Sequence, residues 1–585
     1  MTRQNTSNSI KFYLLFFILS FTAGISQTKV DQLDELLDKY HETKKFNGSV
    51  LVADQGKIIY KKGFGMANME WDIPNAGDTK HRLGSVTKQF TAMLILQLAA
   101  EGKIDLETPI STYLPDYPKD KADIITTHHL LTHTSGIPNY TAFPDFFAEK
   151  SQKYYTPDDF IKLFQDKDLE FTPGESFNYS NSGYFLLGVI IEKISGKNYA
   201  EMLQEKILAP LGMTDSGYGN HDQIIERRAT GYEKQDASYV NSRYLDMSIP
   251  YAAGSMYSTV EDLYKWDQGL YTNTLLPKKH MELYFKKHTD AFGSMGYAYG
   301  WMVGKQPIGN TTDSIQVIIH GGGINGFNTI ISRTPSDKSL IVLLNNTGGA
   351  PLNQISQSIS GILKGKTYDM PKNSIVMEMQ SIIAAKGLDA ALSFYQANKS
   401  SEKYEVDQAE MNQLGYQLMG DKKYEDASKI FMLNMEEFPD SSNVYDSYAE
   451  ALMEMGQNEE AIKNYKKSVE MNPNNQNGIE MLKKLGVNPD ELTQDVVVPD
   501  EILESYVGEY QLQPGFSLTI SKEGTQMKAK ATGQGIVDIF PKSNDRFYLK
   551  VIEAQIQFNK ADDGSIKSLT LFQAGREMEG KRLSE

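Results

Sequence analysis

Apolar and polar positions follow a different rhythm in each of three parts of this chain. In residues 28–368, short apolar runs near both ends predict strands, with helical spacing between them. Ser49-Val50-Leu51-Val52-Ala53 and Ile58-Ile59-Tyr60 flank Asp54-Gln55-Gly56 and read as two strands around a tight turn. Ile315 to Ile319 and Ser339 to Leu344 predict further strands, and Phe90 to Ala100 predicts a helix. Strands from both ends with helices between them predict an α/β (α+β) domain. Its sheet is assembled from the two ends of the segment, with a helical region inserted.

Residues 373–490 are rich in Ala, Glu, Lys, Leu and Met at helical spacing. Gly415, Ala427, Phe431 and Pro439 recur 34 positions later as Ala449, Ala461, Tyr465 and Pro473. Small residues where helices approach, an aromatic plug and a terminating Pro at this period predict all-α, tetratricopeptide-like (TPR-like) repeats. A looser pair lies upstream, around Ile382 to Tyr395. Such a stack reads either as a peptide-binding groove or as a spacer that packs on its neighbours.

Residues 498–585 alternate with period two. Phe516 to Ile520, Arg546 to Lys550, Gln555 to Phe558 and Ser568 to Phe572 predict strands, and Asp563-Gly564 a hairpin turn. Tyr506 to Tyr510 is expected to open a small all-β barrel or sandwich of about eight strands.

Composition narrows the chemistry. The 585 residues include no cysteine, which excludes disulfides, thiolate metal sites and a cysteine nucleophile. Net charge is −16, which argues against a nucleic-acid partner, because phosphate binding needs clustered Lys and Arg. Residues 1–26 read as an export signal. Arg3 and Lys11 are followed by the almost wholly apolar Phe12 to Phe21 and the small residues around Ala23-Gly24-Ile25-Ser26. That apolar run is shorter than the ~20 residues needed to span a bilayer. The chain is therefore expected to be secreted or periplasmic, with no stable membrane anchor and no lipid-accepting cysteine.

Candidate chemistry sits in the first part. Ser85 and Lys88, three apart at the start of a helix, can share a face, so the amine can reach the hydroxyl. A serine hydroxyl needs such a base to act as a nucleophile. The alternative is a capping serine beside a solvated lysine. Ser400 and Lys403 have the same spacing by chance. Tyr179-Ser180-Asn181 follows a Pro-Gly turn and precedes a helix expected over Tyr184 to Lys193, which places Tyr179 and Asn181 on a loop. Tyr239 to Asn241 and Tyr271 to Asn273 match Tyr-x-Asn too. His320-Gly321-Gly322-Gly323 ends an apolar run. It reads either as a strand end where a ligand can lie against the backbone, or as a simple reversing turn.

Together, in this order, these passages resemble the serine β-lactamase and penicillin-binding-protein superfamily, most of all its class C β-lactamase, DD-peptidase and esterase branch. His81 to Ala92 looks like the nucleophile helix, and Leu130-Leu131-Thr132-His133-Thr134-Ser135-Gly136-Ile137 is similar to the family's "LLxHTSG" segment. Pro210 to Met213 and Ala253 to Thr259 are further family-like passages.

The resemblance implies Ser85 as acylated nucleophile and Lys88 as proton acceptor. Tyr179 would be general base and later acid, and Asn181 would orient Lys88 and substrate. It also implies an oxyanion hole at the amides of Ser85 and Gly323 beside Gly322, with His320 on the opposite wall in contact with the substrate or the Tyr179 network, and no metal or cofactor. Many β-lactamases have Lys-Thr-Gly where this chain has His320-Gly321-Gly322. That change removes a fixed positive charge and a hydroxyl, so a D-peptide or ester hydrolase is expected ahead of a β-lactamase. The expected partner is a small peptide, ester or β-lactam substrate, with a peptide or protein partner conceivable at the repeats. The competing class is a non-catalytic binding protein that uses the same cleft.

Four further readings are made. His129 and His133 lack the glutamate of a zinc-protease helix and are expected to be structural. Trp71, Trp266 and Trp301 are expected to fill cores, with Trp301 a candidate for the cleft wall. Ser255 and Tyr257 are candidates for that wall as well.

Overall fold

The computed structural model describes residues 28–583 apart from 236–237, 474, 488–497, 514–515, 550–551, 553, 562–563 and 574–575. The export-signal segment and Asp563 lie outside the described residues.

The strand Gly48–Asp54 shows why its sequence carries no polar alternation. Val50 and Val52 enter one apolar core, and Leu51 and Ala53 enter another on the opposite face. Ser339–Asn345 is likewise buried along its whole length. These are central strands covered on both sides. The antiparallel sheet runs 289–290, 296–297, 302–307, 314–324, 327–334, 339–345, 48–54 and 57–64, so the two ends of the segment meet in register at Val50 opposite Leu343. The turn between the first two strands has Gln55 at φ 52° and Gly56 at φ 75°, which suits a two-residue hairpin.

One face carries the helices Lys29–Glu42 and Leu352–Lys364. Leu33, Leu36, Leu37 and Tyr40 form the buried stripe of the first. Each such side chain contributes roughly 1.5–3 kcal/mol by leaving water. The other face is covered by Val260–Gly269, with Thr87–Ala100 and Asn181–Ser195 packed behind it. Arg333 Nε donates to Asp267 Oδ1 at 2.8 Å, and this buried ion pair ties a sheet strand to the covering helix.

Residues 375–484 form α-helices in antiparallel pairs. Gln408–Gly420 and Tyr424–Glu437 recur as Ser442–Glu454 and Asn458–Met471, with every boundary displaced by 34. A side chain at Gly415 would stand 2.3 Å from the Phe431 ring, which is why the position is glycine. Residues 508–582 form a closed barrel of eight antiparallel strands, entered through the helix Asp500–Tyr506. Its core stacks Tyr506 on Phe558 at 3.9 Å.

The three parts touch. Lys45 pairs with Glu405, and Gln555 Nε2 donates to Met471 O at 3.0 Å. At a hairpin tip of the barrel, Gly533 lies against the Asp290 carboxylate with no room for a side chain. Two cavities, of about 410 and 830 Å³, lie at the junctions of the helical part with its neighbours, away from Ser85. Among the described residues, no helix is long and apolar enough to cross a membrane.

Candidate active site

Ser85 sits in a 3₁₀ turn, Gly84–Val86, that runs into the helix Thr87–Ala100. Residues Thr87 through Leu98 are all buried, so this helix is packed on every side and shows no single apolar stripe. Lys88 is fully buried with it. Its Nζ lies 3.0 Å from Ser85 Oγ, 2.8 Å from Asn181 Oδ1 and 2.9 Å from the Ala253 carbonyl.

Among the described residues Lys88 has no carboxylate ion-pair partner, and burial pushes it well below the usual lysine range. A neutral amine has two hydrogens and a lone pair. Asn181 Oδ1 and Ala253 O can only accept and use both hydrogens, which leaves the lone pair for the Ser85 hydroxyl.

Tyr179 precedes the helix Asn181–Ser195. Ser180 caps that helix by accepting from Gly183 N–H at 3.4 Å. Asn181 is therefore the first helical residue rather than a loop residue. The helix begins three residues earlier than expected, because Ser180 supplies the cap that the apolar pattern does not reveal. Asn181 donates through Nδ2 to Asn139 Oδ1 at 3.2 Å, which fixes Oδ1 toward Lys88.

The Tyr179 hydroxyl is bonded to Ser85, and Lys88 Nζ lies 4.9 Å from the Tyr179 ring centre. Burial pushes the phenol up, and the Ser85 bond offsets this only in part. The same burial that favours neutral Lys88 thus disfavours tyrosinate. The proton rests on the phenol.

His320 to Gly323 lie within the strand Ser314–Ile324. The run is the end of a strand rather than a reversing turn; the reversal comes after it, at Asn325-Gly326. A side chain on Gly322 would stand 2.0 Å from Leu83 O, and one on Gly84, at φ 54°, 2.8 Å from Gly323 O. These two glycines let the nucleophile segment and the strand Ser314–Ile324 touch backbone to backbone. Gly323 has open space at its Cβ position and is exposed, beside Gly84 and hence beside Ser85. His320 is buried, and both ring nitrogens are taken. Nδ1 donates to Gly321 O at 2.6 Å, and Nε2 is 3.1 Å from Tyr297 Oη. Burial, then nearby Lys88, pulls its pKa down to about 3.

Two neighbours were not singled out as site residues from sequence. His133 stacks on Tyr179 at 4.2 Å, and Tyr297 links His133 to His320. His133 lay in the quoted "HTSG" passage, whereas Tyr297 carries no local signal. His129 accepts from Thr126 N–H and belongs to a helix cap, as a structural histidine should. Trp266 and Trp301 are fully buried, so Trp301 does not line the cleft. Trp71 is 79% exposed and fills no core. Ser255 is buried and donates to Met247 O, and buried Tyr257 packs against Gly217.

The family described as Beta-lactamase matches residues 33–357, more than half of the chain. The chain belongs to this family. It is a serine hydrolase of the β-lactamase and penicillin-binding-protein superfamily. Residues 494–583 match a second family, described as a domain of unknown function, DUF3471. Penicillin-binding protein 4* of Bacillus subtilis (strain 168) is 32% identical over 383 residues, 62% of this chain and 82% of that protein. The D-amino acid amidase from Ochrobactrum anthropi SV3 is 26% identical, with TM-score 0.50 over 57% of this chain and 98% of its own. The octameric penicillin-binding protein homologue from Pyrococcus abyssi shares the fold at TM-score 0.50 over 94% of this chain and 99% of its own, at 22% identity.

Proposed function

We propose that this superfamily member is an exported hydrolase that cleaves D-amino-acid amides or peptides through an acyl-enzyme on Ser85. The observation that carries the reading is Lys88, buried without a carboxylate and with its lone pair directed at Ser85 Oγ. As Oγ attacks the substrate carbonyl, Lys88 takes its proton. The amides of Ser85 and Gly323 receive the developing oxyanion. Tyr179 then passes its phenolic proton to the leaving nitrogen, and Lys88 restores it. Water repeats the sequence in reverse to free Ser85.

The D-amide preference rests on the likeness to the D-amino acid amidase and to penicillin-binding protein 4*. Carboxylic esters are the second reading, because an ester needs the same groups and a less demanding leaving step. β-Lactam turnover ranks last, since neutral His320 brings no charge to the strand Ser314–Ile324. Residues 28–368 would form the catalytic domain. Residues 373–490 would be a tetratricopeptide-like spacer that packs on its neighbours, and 498–585 an appended barrel.

The test is intact-mass analysis after exposure to a fluorescent penicillin or a fluorophosphonate. One covalent adduct, lost in Ser85→Ala, is expected. Folded protein that forms no adduct with either probe would be a non-catalytic binding protein.

A further inference from the structure

We propose that His133 and Tyr297 are positioning residues, joined in a hydrogen-bond chain of fixed proton direction that holds Tyr179 and the glycine strand in one geometry. The proposal rests on the reading of Ser85 and Tyr179 given above.

The chain has two backbone ends that cannot reverse. Ser180 N–H can only donate, and it donates to His133 Nδ1 at 3.0 Å. Neutral His133 therefore carries its proton on Nε2, 3.1 Å from Tyr297 Oη. At the far end, Gly321 O can only accept, so His320 carries its proton on Nδ1 and accepts at Nε2. Tyr297 has a single hydroxyl hydrogen. It takes the His133 proton as acceptor and donates its own to His320. One assignment satisfies every atom.

His133 also brackets Tyr179. Its carbonyl accepts from Asn178 N–H at 2.9 Å while its ring accepts from Ser180 N–H, so both neighbours of Tyr179 are tied to one residue. The ring lies on the Tyr179 ring. Bending back to make both contacts puts His133 at φ 59°, in the left-handed region. The titratable groups facing this chain are Lys88, Tyr179, Tyr184, Tyr284 and the chain members themselves. Tyr184 donates to Leu131 O at 2.8 Å. Protonating His133 would set Nδ1–H against Ser180 N–H, and protonating His320 would set Nε2–H against the Tyr297 hydroxyl. The first event breaks the link to the tyrosine loop, and the second removes the Tyr297 donation to the strand Ser314–Ile324. Burial holds both imidazoles below the usual histidine range, and Lys88 adds to this.

Tyr297→Phe removes the linking hydroxyl and keeps the ring. Its kcat on a D-amino-acid amide should fall about 10- to 100-fold, as for a displaced catalytic group, with KM within about twofold of wild type. ¹⁵N-histidine NMR of the whole chain, assigned with His133→Gln and His320→Gln, should show His133 as the Nε2–H tautomer and His320 as Nδ1–H at neutral pH. The opposite tautomers, or a folded Tyr297→Phe protein with wild-type kcat, would overturn the positioning role. Absence of a Ser85 adduct in wild type, with the tautomers as assigned, would instead overturn the hydrolase reading.

Discussion

Asn181→Asp puts a carboxylate where a neutral amide oxygen now sits, 2.8 Å from Lys88 Nζ. If the amine is the base, this nearly isosteric change should disable the enzyme at neutral pH by holding the proton on Lys88. Two unit charges at 2.8 Å attract by roughly 6 kcal/mol at an effective dielectric near 20. Burying the new carboxylate offsets several kcal/mol of this. A remainder of about 3 kcal/mol corresponds to roughly two pH units, or about a hundredfold less neutral amine at a pH below the limb.

The sign follows from the structure. Burial lowers the folded-state pKa of Lys88, and activity requires the neutral form, so the rate should rise with pH through that pKa and then level off. Asn181→Asp should move this acid limb upward by about two units, with activity recovering at high pH. Asn181→Ala, which removes the acceptor without adding charge, should lower the rate without raising the limb. The assay is kcat/KM against pH for an uncharged ester, run beside the rate of Ser85 labelling by a fluorophosphonate. An Asn181→Asp limb at the wild-type pH would refute Lys88 as the base.

Three other outcomes are expected. Lys88→Met should abolish turnover yet raise Tm at neutral pH, because it removes a buried amine whose unfolded form gains a proton; calorimetry checks this. Gly322→Ala should lower Tm and reduce kcat/KM by about a hundredfold or more through contact with Leu83 O, whereas Gly323→Ala, with open space around it, should keep the wild-type Tm. A D-dipeptide amide should be cleaved faster than the free acid, because His320 is neutral and both its nitrogens are engaged. A preference for the acid would point to half-buried Arg82, three residues before Ser85 and, among the described residues, without a carboxylate partner, as the anion's host.

What the sequence disclosed depended on how local the physics was. The sheet built from both ends was legible because Ser49 to Ala53 and Ser339 to Leu344 are apolar runs bounded by turn residues, and each forms a buried strand. Ser85 and Lys88 were legible because i,i+3 geometry is a property of one helix. The start of the Asn181 helix was misplaced because its cap, Ser180, sits in a polar stretch. The partners of His320 were not legible for a different reason. Whether an imidazole faces substrate depends on Tyr297, a residue 23 positions away whose hydroxyl reaches it only after the strands pair. Trp71 shows the opposite limit: no local pattern distinguishes an exposed tryptophan from a core one.

One cause, burial, acts on every ionisable group around Ser85, and its effect depends on the type of group. It pushes Tyr179, Tyr184 and Tyr297 up and holds their protons on. It pushes His133 and His320 down and keeps both neutral. It pushes Lys88 down as well, which favours the neutral amine facing Ser85. A carboxylate anywhere in the cluster would return the proton to Lys88 and end its use as a base. The asparagines at 139 and 181 supply the needed acceptors without charge. The apolar packing of the Thr87–Ala100 helix, which in the sequence reads only as a core element, is thus also what tunes the base.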